Sequence, residues 1–404
     1  MPTLTTSVYD AEPIPQDARD EVQSLLKSGD LFRYTAPLGT PAPVTRLEQD
    51  FAALMGVKYA LALNSCSSAI FLSLAALGIR PGDRVLIPAF TFAAVPSAVI
   101  HAGAQPILVE VGDDYRIDLD DFRAKLSPQV AAVVISHMRG QTSDMDAILE
   151  LCARANVPVI EDAAHSLGTL WNGQKIGTLG KVGCFSFQSY KLVNGGEGGM
   201  LITDDDDVIA HAIIMSGAYE HNWQKHLTGS NAFAKVQNAL PLYNLRMNNL
   251  SAAVIRPQLA EIPRRVRDGR ANHDHVAARL NASPYIEVPP PLPQELRAPD
   301  SIQFNLVNFS ESEARRLMAE TKRSGAPVSV FGLHEDNARA FWNWHFIGNI
   351  PELPKTRAML MKACDMRLPA RLSRPQLDAI ADSVLGAVAT IKAPATNLQR
   401  ARSA

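Results

Sequence analysis

Val159-Ile-Glu-Asp-Ala-Ala-His165 and Cys184-Phe-Ser-Phe-Gln-Ser-Tyr-Lys191, the second followed by Gly195-Gly-Glu-Gly-Gly199, decide the fold. The apolar run Val157-Pro-Val-Ile160 leads into Asp162 and reads as a buried strand end. Val182-Gly-Cys-Phe-Ser-Phe187 reads as a second short strand, with Lys191 just beyond it. Two strand ends bring two distant residues to one edge of a sheet, where α/β proteins place ligands. An aspartate and a lysine meeting there are what pyridoxal phosphate (PLP) chemistry needs. The lysine amine forms a Schiff base with the cofactor aldehyde. The aspartate holds the pyridine nitrogen protonated, which makes the ring an electron sink. A lysine beside glycines is ordinarily solvated surface, so the reading rests on lysine, aspartate and a phosphate-binding turn occurring in order.

That turn is Asn64-Ser-Cys-Ser-Ser68, between an apolar strand and a helix. Small residues allow close backbone approach, and free amides at a helix start attract a phosphate. By itself the segment is an ordinary serine-rich cap. These segments resemble the DegT/DnrJ/StrS family of sugar aminotransferases, PLP enzymes of fold type I, over roughly Gly39 to Val388. The resemblance implies a large α/β domain with a mostly parallel sheet and a smaller α+β C-terminal domain. It also implies cofactor contacts by Ser65, Cys66 and Ser67, where family members carry Ser-Gly-Thr-Ala and Cys66 is a departure. Phe92, in Pro88-Ala-Phe-Thr-Phe-Ala93, matches the family's aromatic ring over the cofactor. His165 matches a glutamine or histidine near the phenolic oxygen, and Ser186 matches a phosphate ligand. Asn244, in Leu242-Tyr-Asn-Leu-Arg-Met-Asn248, matches an asparagine that reaches the cofactor phosphate of a neighbouring subunit, which implies a homodimer with shared active sites. Bland roles compete at several positions: core packing for Phe90 or Phe92, a satisfied buried histidine for His165, a surface arginine for Arg246.

The resemblance further implies amino transfer from glutamate or glutamine to a keto sugar or similar polyhydroxylated ketone, with pyridoxamine phosphate as the intermediate cofactor form. Two alternatives stand beside it. Related sugar dehydratases carry histidine at the Schiff-base position, against which Lys191 argues. A non-catalytic PLP-binding regulator would not need the intact lysine, aspartate and turn. The acceptor-binding segments depart from the family pattern. Ser216-Gly-Ala-Tyr-Glu-His-Asn-Trp223 lacks its usual Arg/His-Gly, and Pro327 to His345 lacks its Thr-Arg-x-His-Tyr signature. His334, Arg339 and Trp342 in the latter segment, together with Arg246, are the candidate substrate contacts, with no nucleotide carrier assumed.

Composition sets the frame. The chain has 404 residues, 47% of them hydrophobic, with 39 basic against 41 acidic. Length suggests two or three domains, and the balanced charge gives no reason to expect nucleic acid or an anionic membrane. Met1-Pro-Thr-Leu-Thr-Thr-Ser7 lacks the basic and apolar regions of a signal peptide, and the longest apolar stretch is broken at Asn64 to Ser68. The four cysteines have no metal-ligand spacing, so no metal is expected, and a reduced, cytoplasmic protein is. The expected layout is an N-terminal arm over 1–30, a PLP-binding domain over 31–250, a linking helix and small domain over 251–392, and an unstructured tail over 393–404. Strands at Tyr59–Leu63, Arg84–Ile87, Pro106–Val111, Val130–Ser136 and Val157–Ile160 alternate with helical segments, as a mostly parallel sheet requires.

Overall fold

A computed structural model describes residues 7–230 and 232–393; the expected unstructured tail therefore lies almost wholly outside the described residues. The polar opening segment contains α1 (Gln16–Ser28), closed by Gly29 in the left-handed conformation, and is followed by α2 (Pro43–Met55). From there the chain alternates: β1 (Tyr59–Leu63), α3 (Cys66–Ala76), β2 (Arg84–Pro88), α4 (Ala94–His101), β3 (Gln105–Val109), α5 (Leu119–Lys125), β4 (Val130–Ser136), α6 (Met145–Ala155) and β5 (Val159–Asp162). The short hairpin of β6 (Leu170–Trp171) and β7 (Gln174–Lys175) precedes β8 (Val182–Ser186), β9 (Gly199–Thr203) and α7 (Asp206–Met215). Asp205 caps α7 by accepting from the amides of Asp207 and Val208, so the four-aspartate run is a helix start.

Seven strands form one sheet in the order β1-β9-β8-β5-β4-β2-β3. Only β9 runs antiparallel to its neighbours; the pairs β2–β3, β2–β4, β4–β5 and β5–β8 are parallel. Helices cover both faces, and the strands alternate between them. Leu61, Leu63, Val85, Ile87 and Val134 pack on one side; Ala60, Ala62, Leu86, Val133 and Ile135 pack on the other. Burial on both faces is why these strands read as continuous apolar runs.

Beyond α8 (Phe233–Val236), the expected long linking helix is in fact α9 (Asn249–Ile255) and α10 (Ile262–Leu280), joined by a tighter 3-10 turn over Arg256–Glu261. Pro257 lacks an amide donor, which accounts for the interruption. The C-terminal part contains β10 (Ile286–Glu287), β11 (Glu295–Leu296), β12 (Ser301–Leu306), α11 (Glu311–Arg323), β13 (Ser329–Val330), α12 (Pro354–Leu360), β14 (Ala363–Arg367) and α13 (Arg374–Lys392). Its antiparallel sheet runs β10-β12-β14-β13, packed on α10, α11 and α13, while β11 joins β6 and β7.

Gly199 positions the site within this frame. A β-carbon there would lie 2.2 Å from the carbonyl carbon of Ser65 and 2.4 Å from the amide nitrogen of Cys66. Those are backbone atoms at the start of α3, so they cannot yield as a flexible side chain would. We predict that Gly199→Ala destabilises the fold by about 1–3 kcal/mol, the usual cost of overpacking. It should also weaken PLP binding, because the Ser65 turn must move. Urea unfolding and fluorescence titration with PLP check this; unchanged stability with wild-type PLP affinity contradicts it.

Candidate active site

The C-terminal ends of the parallel strands gather the site. Register pairs Ser136 with Asp162 and Asp162 with Cys184, so three strands end side by side. Asp162 is buried. Its Oδ2 accepts from the Ser136 hydroxyl at 2.8 Å and its Oδ1 from the Ala164 amide at 3.1 Å. These two bonds fix the plane of the carboxylate. The chain leaves β8 through a tight turn in which the Lys191 amide donates to the Gln188 carbonyl at 2.8 Å. It returns by the glycine run, with Gly196 at φ 74, and pairs β9 against both β8 and β1. This hairpin carries Lys191 to the same edge as Asp162.

The Lys191 amine lies 2.8 Å from His165 Nε2 and 3.4 Å from Nδ1. Burial, opposed by Asp300 and reinforced by Arg139, lowers the Lys191 pKa to about 8. Burial and then the adjacent Lys191 push His165 well below its ordinary range, so its imidazole is neutral and can accept from the amine. Cys66 Sγ sits 3.9 Å from Asp162 Oδ1. Burial and the Asp162 charge push its thiol well up, which makes Cys66 a neutral filler and not a nucleophile.

One cavity of about 610 Å³ is lined by Ser65, Cys66, Ser67, Phe92, Asp162, His165, Ser186 and Lys191. Ser65 caps α3 by accepting from the Ser68 amide at 3.1 Å. The α3 amides of Cys66 and Ser67 have no partner among the described residues, as expected of the first turn of a helix. Phe92 is 45% exposed, whereas Phe90 is buried against Phe331, with ring centroids 4.9 Å apart. Phe90 is therefore core and Phe92 faces the cavity.

PLP fits the residues present. Ser65, Ser67, Ser186 and the α3 amides suit a phosphate, Phe92 offers a flat apolar wall, Asp162 an oriented carboxylate and Lys191 a largely desolvated amine. The close approach permitted by Gly199 keeps this cradle narrow.

The remaining expected residues lie elsewhere. Asn244 is exposed and does not line the cavity of its own chain. Arg246 donates to the Gly217 carbonyl at 2.8 Å and stacks over Phe32 and Tyr219. Trp342 packs on Phe341 at 5.2 Å with the Arg357 guanidinium 4.5 Å from its ring, and with Phe341 it joins the core on one face of the large sheet, not that of the small C-terminal sheet. His334 is exposed on an adjoining groove that meets the cavity at Tyr9, Ser329 and Arg339. Of the four candidate substrate contacts, Arg339 alone reaches the cavity.

Several cavity residues carry no obvious sequence signal. Arg139 stands in the turn after β4, Arg367 ends β14, and Tyr9 arrives from the N-terminal segment. Arg371 holds that segment by donating to the Asp10 carbonyl at 2.8 Å, and Glu12 accepts from Arg264 and Arg265. The turn glycine Gly140 after a strand ending at the sheet edge was the one available pointer to Arg139.

Comparison with known proteins shows the family and the fold. Residues 15–385 match the DegT/DnrJ/EryC1/StrS aminotransferase family. The spore coat polysaccharide biosynthesis protein SpsC of Bacillus subtilis (strain 168) is 34% identical over 278 residues, covering 68% of each chain. GDP-perosamine synthase of Caulobacter vibrioides is 35% identical over 237 residues, so this chain spans only 58% of that relative's length. A putative sugar aminotransferase from Streptococcus pneumoniae, solved in its PLP form, superposes with a TM-score of 0.82 at 20% identity, over 97% of this chain and all of that one. The chain belongs to the DegT/DnrJ/EryC1/StrS aminotransferase family, PLP-dependent aminotransferases of fold type I.

Proposed function

We propose that this enzyme transfers an amino group from glutamate or glutamine to a keto sugar or similar polyhydroxylated ketone. The acceptor carbonyl becomes an amine and the donor leaves as its 2-oxo acid. The observation that carries the reading is one cavity faced by an oriented Asp162 and a desolvated Lys191. PLP, when bound, supplies an aldehyde to receive the amino group and an electron-accepting ring. Lys191 is the residue that attaches it, and Asp162 is the partner of its ring nitrogen. Ser65, Cys66, Ser67 and Ser186 surround its phosphate, and Phe92 and His165 border its ring.

Once released from the cofactor, Lys191 serves as the base that moves the donor's α-proton. With a pKa of about 8, roughly a tenth of its amine is neutral at pH 7, against about four in ten thousand for an ordinary lysine. That difference is what a general base working near neutrality needs. His165, neutral and 2.8 Å away, accepts a hydrogen bond from the amine and steadies it.

We further place the enzyme in the cytoplasm as a homodimer. Four buried free cysteines support a reducing compartment. No helix among the described residues is long and apolar enough to cross a membrane. Asn244 lies beside exposed Leu242 and Tyr243, with Tyr219 and Phe32 exposed around Arg246, and such an apolar surface fits a second copy. Asn244 would then serve the partner's cofactor phosphate, since it does not reach its own cavity.

Two outcomes follow. Borohydride reduction of the PLP-loaded enzyme and peptide mapping should label Lys191, and the rate of PLP loading by the cofactor-free protein should rise through a pH near 8. A label on another lysine, or an inflection near the ordinary lysine value, contradicts the assignment. Separately, mixing inactive Lys191→Ala and Asn244→Ala subunits should restore part of the activity through hybrid dimers. No rescue, or a monomer on sedimentation, contradicts sharing.

A further inference from the structure

Three guanidinium groups face the cavity: Arg139, Arg339 and Arg367. The charge set against them is sparse. Arg139 Nη2 donates to Asp365 Oδ2 at 2.5 Å, and the other oxygen of Asp365 accepts from Gln303 Nε2 at 2.8 Å. Arg367 donates to the Tyr190 carbonyl at 3.0 Å and lies over the Tyr190 ring. The Arg339 side chain has no ion pair or hydrogen bond among the described residues; its guanidinium sits 5.7 Å from the centre of the Phe92 ring. The Nε atoms of all three arginines are buried without a partner. Of the other carboxylates on the wall, Asp162 is engaged by Ser136 and Ala164, and Glu197 pairs with none of the three arginines.

The backbone adds a second observation. Arg139 adopts φ 56, a left-handed conformation that a residue with a side chain rarely takes, and Gly140 follows at φ 82. Strain of this kind persists where the surroundings over-determine it, and it concentrates at ligand clamps. The group also lies at the reacting end of the cavity. Arg139, Arg339 and Arg367 all act on His165, which touches the Lys191 amine. The serines that suit a phosphate are a separate set at the start of α3 and the end of β8.

An unpaired, desolvated guanidinium is costly until an anion meets it in fork geometry. In a ping-pong transfer both substrates occupy this one cavity in turn. A donor amino acid brings a carboxylate. An acceptor without one would leave the Arg339 guanidinium unpaired in the second half-reaction. We propose that Arg339, with Arg139 and Arg367, forms a carboxylate subsite used in both half-reactions, so that the acceptor is a polyhydroxylated ketone bearing a carboxylate and not a neutral keto sugar. The proposal rests on the aminotransferase reading above.

The test separates the two. Glutamate and, separately, glutamine are first added to the PLP-loaded enzyme, and conversion to the pyridoxamine phosphate form is followed by absorbance; failure with both counts against amino transfer itself. Enzyme loaded directly with pyridoxamine phosphate is then given matched acceptors: an oxo-hexose, its 6-carboxylate and its 6-phosphate. The carboxylate should have the highest kcat/KM, by about tenfold or more over the neutral compound. Arg339→Gln should bring the ratio close to one. A neutral or phosphorylated ketone that reacts as well as the carboxylate overturns the proposal. A second arm needs no variant and reads binding alone. Wild-type enzyme is titrated calorimetrically with cyclohexanecarboxylate and with cyclohexanecarboxamide. The carboxylate should bind more tightly and weaken with salt; equal binding also overturns the proposal.

Discussion

Glu161 is the residue on which the site's geometry turns. It lies next to Asp162 on β5, so strand alternation sends the two carboxylates to opposite faces. Asp162 faces the cavity, while Glu161 is wholly buried. Glu161 Oε1 accepts from the amides of Leu179 and Gly180 at 2.7 and 2.6 Å, and Oε2 accepts from Gly177 at 2.9 Å and lies 3.0 Å from His137 Nε2. One side chain thus ties β5 to the turn that enters β8 and to the segment leaving β4. A β-carbon on Gly183 would lie 2.1 Å from the Gly177 carbonyl oxygen, so the same turn also presses directly on β8. Because Lys191 hangs from the end of β8, its position relative to Asp162 is inherited from this buried knot. A buried carboxylate satisfied by three amides is stable only while all of them stay in place.

The electrostatics follow from the same burial. Lys191 is desolvated, which lowers its pKa, and His165 beside it is held neutral. Cys66 fills the space against Asp162 as a neutral thiol. Of the arginines, Arg139 stands in the segment leaving β4 that this knot holds, whereas Arg339 and Arg367 arrive from the C-terminal part of the chain. The part of the cavity that suits a cofactor is therefore built by the large sheet. The part that suits a substrate is built where the large sheet meets β13, β14 and the Asn337–Arg339 loop, which is tied to Phe92 by the Ala93 amide donating to the Ala338 carbonyl at 2.9 Å.

Most of the large sheet was legible because its strands are buried on both faces. Val130–Ser136 occurs with the bounds read from its apolar run, and Tyr59–Leu63 likewise. Strand β9 was not read, because it begins inside a glycine run that carries no strand signal. Strand β14, Ala-Cys-Asp-Met-Arg, mixes polar and apolar residues, since Asp365 and Arg367 point at the cavity. Motif-borne residues, including Lys191, Asp162, His165 and Ser65, come together because each stands at the end of a readable strand. Arg139 and Arg367 escaped notice for the opposite reason: their meaning arises only when distant segments meet. His334 and Trp342 sit in the right loop, but the loop turns Trp342 into packing against Phe341 and Arg357.

The central claim is that Asp162 and Lys191 grip one cofactor from two strand ends, with the ring nitrogen held protonated by Asp162. The most direct measurement is the nitrogen-15 resonance of enzyme-bound PLP labelled at the ring nitrogen, in the wild-type protein and in Asp162→Asn. The account predicts a pyridinium signal in the wild type that moves to the neutral pyridine position in the variant. A neutral pyridine signal in the wild type, or the same signal in both proteins, would contradict it.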